Sequence, residues 1–178
     1  TLTSGTPVTS ADVTGATNIY FTPYVGDRVA IYDGTRWRLY TFTELTLALG
    51  TLTADLPYDV FIYDNAGTLT LELLARTNGT TRATALVRQN GVWCKTGVLT
   101  RRYLGTFYTT ATTTTEDSAV KRFLWNMYNR VSRSMLVTEA TASWTYTLAT
   151  IRQANANVAN QFAVCRGLDE DMMEAHLI

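Results

Sequence analysis

The fold is decided by residues 85–95, which read Ala-Leu-Val-Arg-Gln-Asn-Gly-Val-Trp-Cys-Lys. Two short runs of mostly apolar residues, 85–89 and 92–95, flank the dipeptide Asn90-Gly91. Asn-Gly favours a type I′ turn, whose two central residues take positive φ and whose twist matches an antiparallel strand pair. The stretch therefore predicts a β-hairpin.

Two further hairpins are predicted on either side of turn residues earlier in the chain. Residues 28–32 and 37–42 flank Asp33-Gly34, and residues 58–63 and 68–73 are joined through the four residues 64–67. Aromatic and β-branched runs predict additional strands at 19–22, 102–108, 143–148 and 161–166. The threonine-rich residues 109–115 are expected to form a loop, and residues 153–160 fit either a polar loop or part of a long strand.

One segment departs from the β pattern. Apolar residues recur at three- and four-residue spacings between Ala119 and Tyr128, as on one face of a helix. Thr115 is a suitable N-cap, and Glu116 with Asp117 complements the positive end of a helix dipole. The prediction is a helix at about 116–131, within a mainly β, antiparallel β-sandwich or jelly-roll-like domain of roughly nine strands.

Composition predicts two parts of unequal size. Residues 1–17 are mostly Thr, Ser, Gly and Ala and contain few large apolar groups, which predicts a connecting arm. Residues 18–178 are long enough for a single β-rich globular domain, and we expect the whole to be part of a longer polypeptide. Cys94 and Cys165 are too few for a disulfide framework, although their pairing stays open at this stage.

Charge and hydropathy argue against two kinds of partner. The formal net charge is zero and only 17% of residues are charged, so no long-range field attracts nucleic acid. An apolar run of about 18 residues, which a membrane-spanning helix requires, is absent from the sequence, and membrane insertion is not expected. Threonine makes up roughly a fifth of the chain, as is typical of half-buried strands.

The sequence offers little catalytic chemistry. The one histidine, His176, has no recognisable triad pattern around it, and with Cys94 and Cys165 it does not form a zinc motif. The acidic residues within 169–174 lack the ligand spacing of a calcium loop and are interpreted as a solvated turn. We therefore expect no cofactor, no metal and no enzyme activity. A glycan hydrolase with Asp59 and Glu72 as its two acids is kept as a minor alternative.

Arginine and aromatic side chains are the candidates for a ligand or subunit contact. Four lie close together in one predicted hairpin, namely Arg36, Trp37, Arg38 and Tyr40, and three more are the tryptophans Trp93, Trp125 and Trp144. Arg and aromatic faces offer stacking platforms for sugars or bases. The favoured interpretation is a hairpin with one buried face and one face at solvent or a subunit contact, and a carbohydrate-binding module is the alternative.

Five segments together resemble proteins of tailed bacteriophages. They are YFTPY at residues 20–24, YTFTE at 40–44, YDVFIYDNAG at 58–67, RRYLGTF at 101–107 and FLWNMYNR at 123–130. The likeness spans most of the chain from about Gly5 onward and is to virion structural proteins of a fibre-like type.

This resemblance implies a place in the virion and gives no catalytic residues. The implied roles are a tail or head fibre, a receptor-binding appendage, or a capsid decoration protein. The implied partners are other copies of the chain, with a homotrimer expected, together with other virion proteins and a host cell-surface glycan. Closed symmetry would bury aromatic and threonine-rich surfaces between the copies.

Overall fold

A computed structural model of the chain describes residues 1–169. Its strands are β1 Val13–Ala16, β2 Asn18–Phe21, β3 Arg28–Tyr32, β4 Trp37–Thr41, β5 Leu45–Ala48, β6 Pro57–Asn65, β7 Thr68–Ala75, β8 Leu86–Gln89, β9 Val92–Lys95, β10 Val98–Ala111, β11 Thr114–Asp117, β12 Lys121–Arg122, β13 Leu124–Asn126 and β14 Ala163–Val164. The predicted mainly β class is confirmed.

Ten strands form one sheet, whose main path runs β14-β12-β11-β10-β6-β7. The 14-residue strand β10 organises this sheet, since it pairs with β6, β9, β11 and β13. Gly105 of β10 permits one of these pairings, because a Cβ there would lie 2.2 Å from the carbonyl oxygen of Trp125 in β13. Two smaller sheets, β2-β5 and β3-β4, complete a sandwich-like arrangement, and among the described strands only β12 and β14 pair in parallel.

The three predicted hairpins are all present. In the third, Gln89 pairs with Val92, and Asn90 and Gly91 have φ of 50° and 86°, as the type I′ turn requires. The second is tighter than expected, because Asn65 pairs with Thr68 and only Ala66 and Gly67 form the loop. The first has the predicted bounds, with the four-residue loop 33–36 between Tyr32 and Trp37.

The predicted helix at 116–131 is wrong. Thr114–Asp117 forms β11 against β10 and β1, and Leu124–Asn126 forms β13 against β10. Phe123 and Trp125 are buried at alternate positions, as in a strand. The same segment therefore contains both a two-residue period and the helical spacing of its apolar residues. Pairing with the long strand β10 decides the outcome, as tertiary contacts routinely override local propensity.

The core lies between the ten-stranded sheet and the two small sheets. Ile19 of β2, Ile31 of β3, Ile62 of β6 and Phe107 of β10 belong to one buried cluster. Residues 1–17, which composition predicts to be a connecting arm, contribute to this body. Leu2 is buried in the same cluster, and β1 pairs with β11.

Residues 127–162 contrast with the rest, because they contain no strand and one short 3₁₀ turn, Ala154–Ala156. The strand predicted at 143–148 is therefore wrong, and the one predicted at 161–166 is reduced to β14. The loop predicted at 109–115 is also wrong, because most of these residues lie in strands β10 and β11. There β10 and β11 are joined by residues 112 and 113 alone.

Two further features concern the chain as described. Neither cysteine is in a disulfide: Cys94 is buried in β9, and Cys165 is a partly buried free thiol. Across residues 1–169, none of the helical segments has the length and apolar character needed to cross a membrane.

Candidate functional site

The predicted contact residues Arg36, Trp37, Arg38 and Tyr40 lie together on the hairpin of β3 and β4. Its loop is held by Asp33, whose carboxylate accepts hydrogen bonds from the amides of Thr35 and Arg36, both at 2.9 Å. The same carboxylate accepts a 2.5 Å bond from Nε of Arg38. That bond, helped by the two amides, holds the pKa of Asp33 well below the ordinary range of an aspartate.

Two other hairpins meet this one. The indole nitrogen of Trp37 donates to Oδ1 of Asn90 in the β8-β9 turn at 3.3 Å. The hydroxyl of Tyr40 donates to Oδ2 of Asp64 beside the β6-β7 turn at 2.9 Å, and this bond raises the pKa of Tyr40. We name the loop 33–36, Trp37, Arg38, Tyr40 and the turns at 64–67 and 90–91 the hairpin-tip site.

The hairpin-tip site is open to solvent and carries both charge signs. The side chain of Arg36 is 71% exposed and that of Arg38 is 53% exposed. Trp37 is half-buried with its ring tilted against Tyr32 at a centroid separation of 5.6 Å. Arginine and aromatic side chains carried by one hairpin suit a polar ligand with hydroxyl or carboxylate groups.

The structure does not bring the other predicted residues to this site. Trp125 is only 8% exposed and stacks on Tyr103 at 6.0 Å, in a second core cluster that Trp93 also contacts. Trp93 additionally lies under the guanidinium of Arg88 at 4.4 Å. Trp144 lies in the irregular residues 127–162 and is 40% exposed.

A buried ionic cluster was not predicted as a unit. Asp59 of β6 is 1% exposed and accepts hydrogen bonds from Nη2 of Arg76 at 3.0 Å and from Nε of Arg82 at 2.9 Å. The hydroxyl of Thr106 donates to the same carboxylate at 2.7 Å and lies 2.5 Å from the hydroxyl of Tyr103. A charged residue inside the apolar run 58–62 was the available sequence signal for such a site.

The cluster contains two guanidinium groups and one carboxylate, and backbone carbonyls supply further acceptors. Nη2 of Arg82 donates to the carbonyl of Gly167, and Nη2 of Arg76 lies 3.4 Å from the carbonyl oxygen of Arg166. Burial, reinforced by the charge of Asp59, raises the pKa of Tyr103, so its hydroxyl stays protonated. Burial likewise raises the pKa of the Cys165 thiol to about 12.

Both acids of the alternative hydrolase hypothesis form ion pairs with Arg or Lys side chains. Asp59 is enclosed in the ionic cluster, and Glu72 of β7 accepts bonds from Nζ of Lys95 at 2.6 Å and Nε of Arg101 at 2.7 Å. Burial opposes ionisation of Glu72, yet these bonds outweigh it and its pKa is lowered. In the described part of the chain, no three acidic, cysteine or histidine side chains cluster as metal ligands. His176 and the acidic residues 170–174 lie outside that part.

The fold and the site together define a mainly antiparallel β domain with an arginine and aromatic site at the ends of its hairpins. Comparisons with protein-family models, with curated proteins and with solved structures found no match.

Proposed function

We propose that this chain is a non-enzymatic structural module of a bacteriophage particle, a tail or head fibre or appendage domain for attachment and assembly. In this proposal it assembles as a homotrimer and binds other virion proteins. The proposal draws on the likeness of the five segments quoted above to fibre-like virion proteins. Its structural support is the set of large apolar side chains that residues 131–162 expose to solvent.

These exposed apolar side chains carry the proposal. Fifteen large hydrophobic side chains are exposed among residues 1–169, and eight of them lie within residues 131–162: Val131, Leu136, Trp144, Tyr146, Leu148, Ile151, Val158 and Phe162. Large contiguous apolar surfaces on soluble proteins mark interaction sites. A segment of this kind is expected where copies of a chain, or a chain and its neighbours in a particle, pack together.

Mass photometry of the purified chain and electron microscopy of the particle test this proposal. We expect a mass of three chains in solution and density for the domain on the particle. Density on the tail or a head fibre would assign the fibre role, whereas density lying flat on the head shell would assign the capsid decoration role. A chain that stays monomeric and is missing from particles would refute the proposal.

The hairpin-tip site favours a second candidate, a carbohydrate-binding module that recognises a host cell-surface glycan. Loops at one end of a rigid β scaffold commonly carry binding residues. A glycan array with the wild type, Trp37→Ala and the control variant Tyr24→Ala, an exposed aromatic residue outside the hairpin-tip site, tests this candidate. We expect binding to be lost in Trp37→Ala alone, and equal binding by all three would remove it. Turnover of host polysaccharide by the wild type would contradict the non-enzymatic assignment.

A further inference from the structure

Residues 143–148, Ser-Trp-Thr-Tyr-Thr-Leu, have the sequence of a strand without forming one within the chain. Polar and large apolar side chains alternate strictly, as in a strand with one buried face. Every residue from 141 to 152 is nevertheless exposed, including the three apolar side chains Trp144, Tyr146 and Leu148. Such an alternating segment forms a strand only if another strand supplies hydrogen-bond partners for its backbone and another surface covers its apolar side chains.

The described residues contain a sheet edge of suitable length. β7 is the last strand of the main path, and among residues 1–169 it pairs with β6 alone, in an unbroken register of eight pairs from Asn65-Thr68 to Tyr58-Ala75. Natural edges are protected by Pro, Lys, bulges or short length, and β7 has none of these over its eight residues. Its single charge, Glu72, is already paired with Lys95 and Arg101.

The faces of the two segments are also complementary. Leu69, Leu71 and Leu73 of β7 lie on the side of the large core cluster. The opposite side of β7 carries Thr70 and Glu72, which match the polar side chains of Thr145 and Thr147. An added strand can therefore continue both the apolar and the polar face of the sheet.

We infer that residues 143–148 are an assembly strand that pairs with the free edge of β7 on a neighbouring copy of this chain. The donor and acceptor are different surfaces, so the contact is heterologous and closes into a ring when repeated around a symmetry axis. This geometry specifies the contact within the homotrimer and rests on the proposed function. It covers the exposed apolar side chains of Trp144, Tyr146 and Leu148 with a second copy of the chain.

A proline substitution tests the donor strand. Thr145→Pro removes a backbone donor and restricts the residue before it, whereas Thr145→Ala keeps the backbone hydrogen bonds. Because 143–148 form no strand pairing within residues 1–169, both variants are expected to unfold at the wild-type temperature when all three proteins are diluted to single chains. In mass photometry across a dilution series, we expect Thr145→Pro to raise the dissociation constant at least about tenfold and Thr145→Ala to change it less than about threefold.

Cysteine crosslinking tests the acceptor edge, and it serves if the proline variant fails to fold. In a background of Cys94→Ala and Cys165→Ser, Thr145→Cys is combined with Thr70→Cys, or with Thr68→Cys to allow for register. Paired strands bring such residues within disulfide range, so we expect covalent oligomers. The matched control combines Thr145→Cys with Thr35→Cys, in the loop of the hairpin-tip site, and is expected to stay uncrosslinked.

The outcomes separate the two proposals. Oligomers that survive Thr145→Pro, or that give no crosslink at either β7 position, would overturn the assembly strand and leave the virion role standing. A wild-type chain that is monomeric at every concentration and missing from particles would overturn both.

Discussion

Residues 13–126 and residues 127–162 both contain strand-like sequence patterns, but only the first region forms β-strands. Of the structure described for residues 1–169, the first region holds thirteen of the fourteen strands and all of the fully buried side chains. The second has no buried residue, although it contains Trp144, Tyr146 and Leu148 in a strand-like order. The difference teaches that strand propensity becomes structure only where a neighbouring strand completes the hydrogen-bond ladder.

The largest effect is expected from breaking the paired region at its buried charge. Asp59→Asn leaves the guanidinium groups of Arg76 and Arg82 without their carboxylate inside the sheet. Removing one partner of a buried ion pair costs about 3–5 kcal/mol of unfolding free energy. Denaturant unfolding measures the change, with Asp27→Asn on the exposed surface as the control. A loss as small as that of the control would contradict a charge-bearing core.

A smaller effect is expected from Gly167→Ala. A Cβ at Gly167 would lie 2.1 Å from the indole ring of Trp125 and 2.4 Å from the hydroxyl of Tyr103. Forcing an extra methyl group into a packed site costs about 1–3 kcal/mol. Thermal unfolding measures the loss, and Gly79→Ala, which meets nothing within 4 Å, is the control. Equal unfolding temperatures for the two variants would mean that residues 163–168 do not pack on the sheet as described.

Glu72→Gln is expected to cost about 1 kcal/mol at pH 7, since it weakens the bonds from Lys95 and Arg101. The folded-state pKa of Glu72 is lowered, so its ionised form stabilises the fold above the ordinary glutamate pKa of about 4.3. The difference between variant and wild type should shrink as the pH falls through that lowered pKa. Denaturant midpoints from pH 7 down to pH 3 measure it, and a constant difference would contradict the ion pairs.

The smallest effect is expected in the second region. Ile151 is 102% exposed, and Ile151→Ser should change the unfolding free energy of the single chain by less than about 0.5 kcal/mol. Ile62→Ala in β6, at 0% exposure, should cost about 2–5 kcal/mol under the same conditions. The measurement is made at a concentration where mass photometry finds single chains. Similar losses in both variants would erase the contrast between the two regions.

The parts of the fold that sequence reasoning predicted are those coded by adjacent residues. Asn90-Gly91 specifies its turn through the positive φ of both residues, so that hairpin follows from local chemistry. The segment around Phe123 could not be predicted in the same way. The apolar residues of this segment fit both a helical period and the two-residue period of a strand. The segment becomes a strand because it pairs with β10, which lies close to it only in the folded chain.

In the candidate site, too, the sequence predicted the residues that are adjacent in the chain and missed their distant partners. Arg36, Trp37, Arg38 and Tyr40 were found together because they are neighbours on one hairpin. Their partners Asp64 and Asn90 come from other hairpins and leave no local signal. The buried ionic cluster joins residues as far apart as Asp59 and Gly167, so only the folded structure brings its members together.

The position of Gly167 in that cluster sets an order of events during synthesis. Ribosomes add about 5–20 residues per second, so Gly167 leaves the peptidyl transferase centre about 5–20 s after Asp59. Until then Arg76 and Arg82 lack the carbonyl acceptors of Arg166 and Gly167, and Trp125 lacks the backbone that covers it. The buried ionic cluster of the nascent sheet is therefore incomplete until residues 166 and 167 have been added.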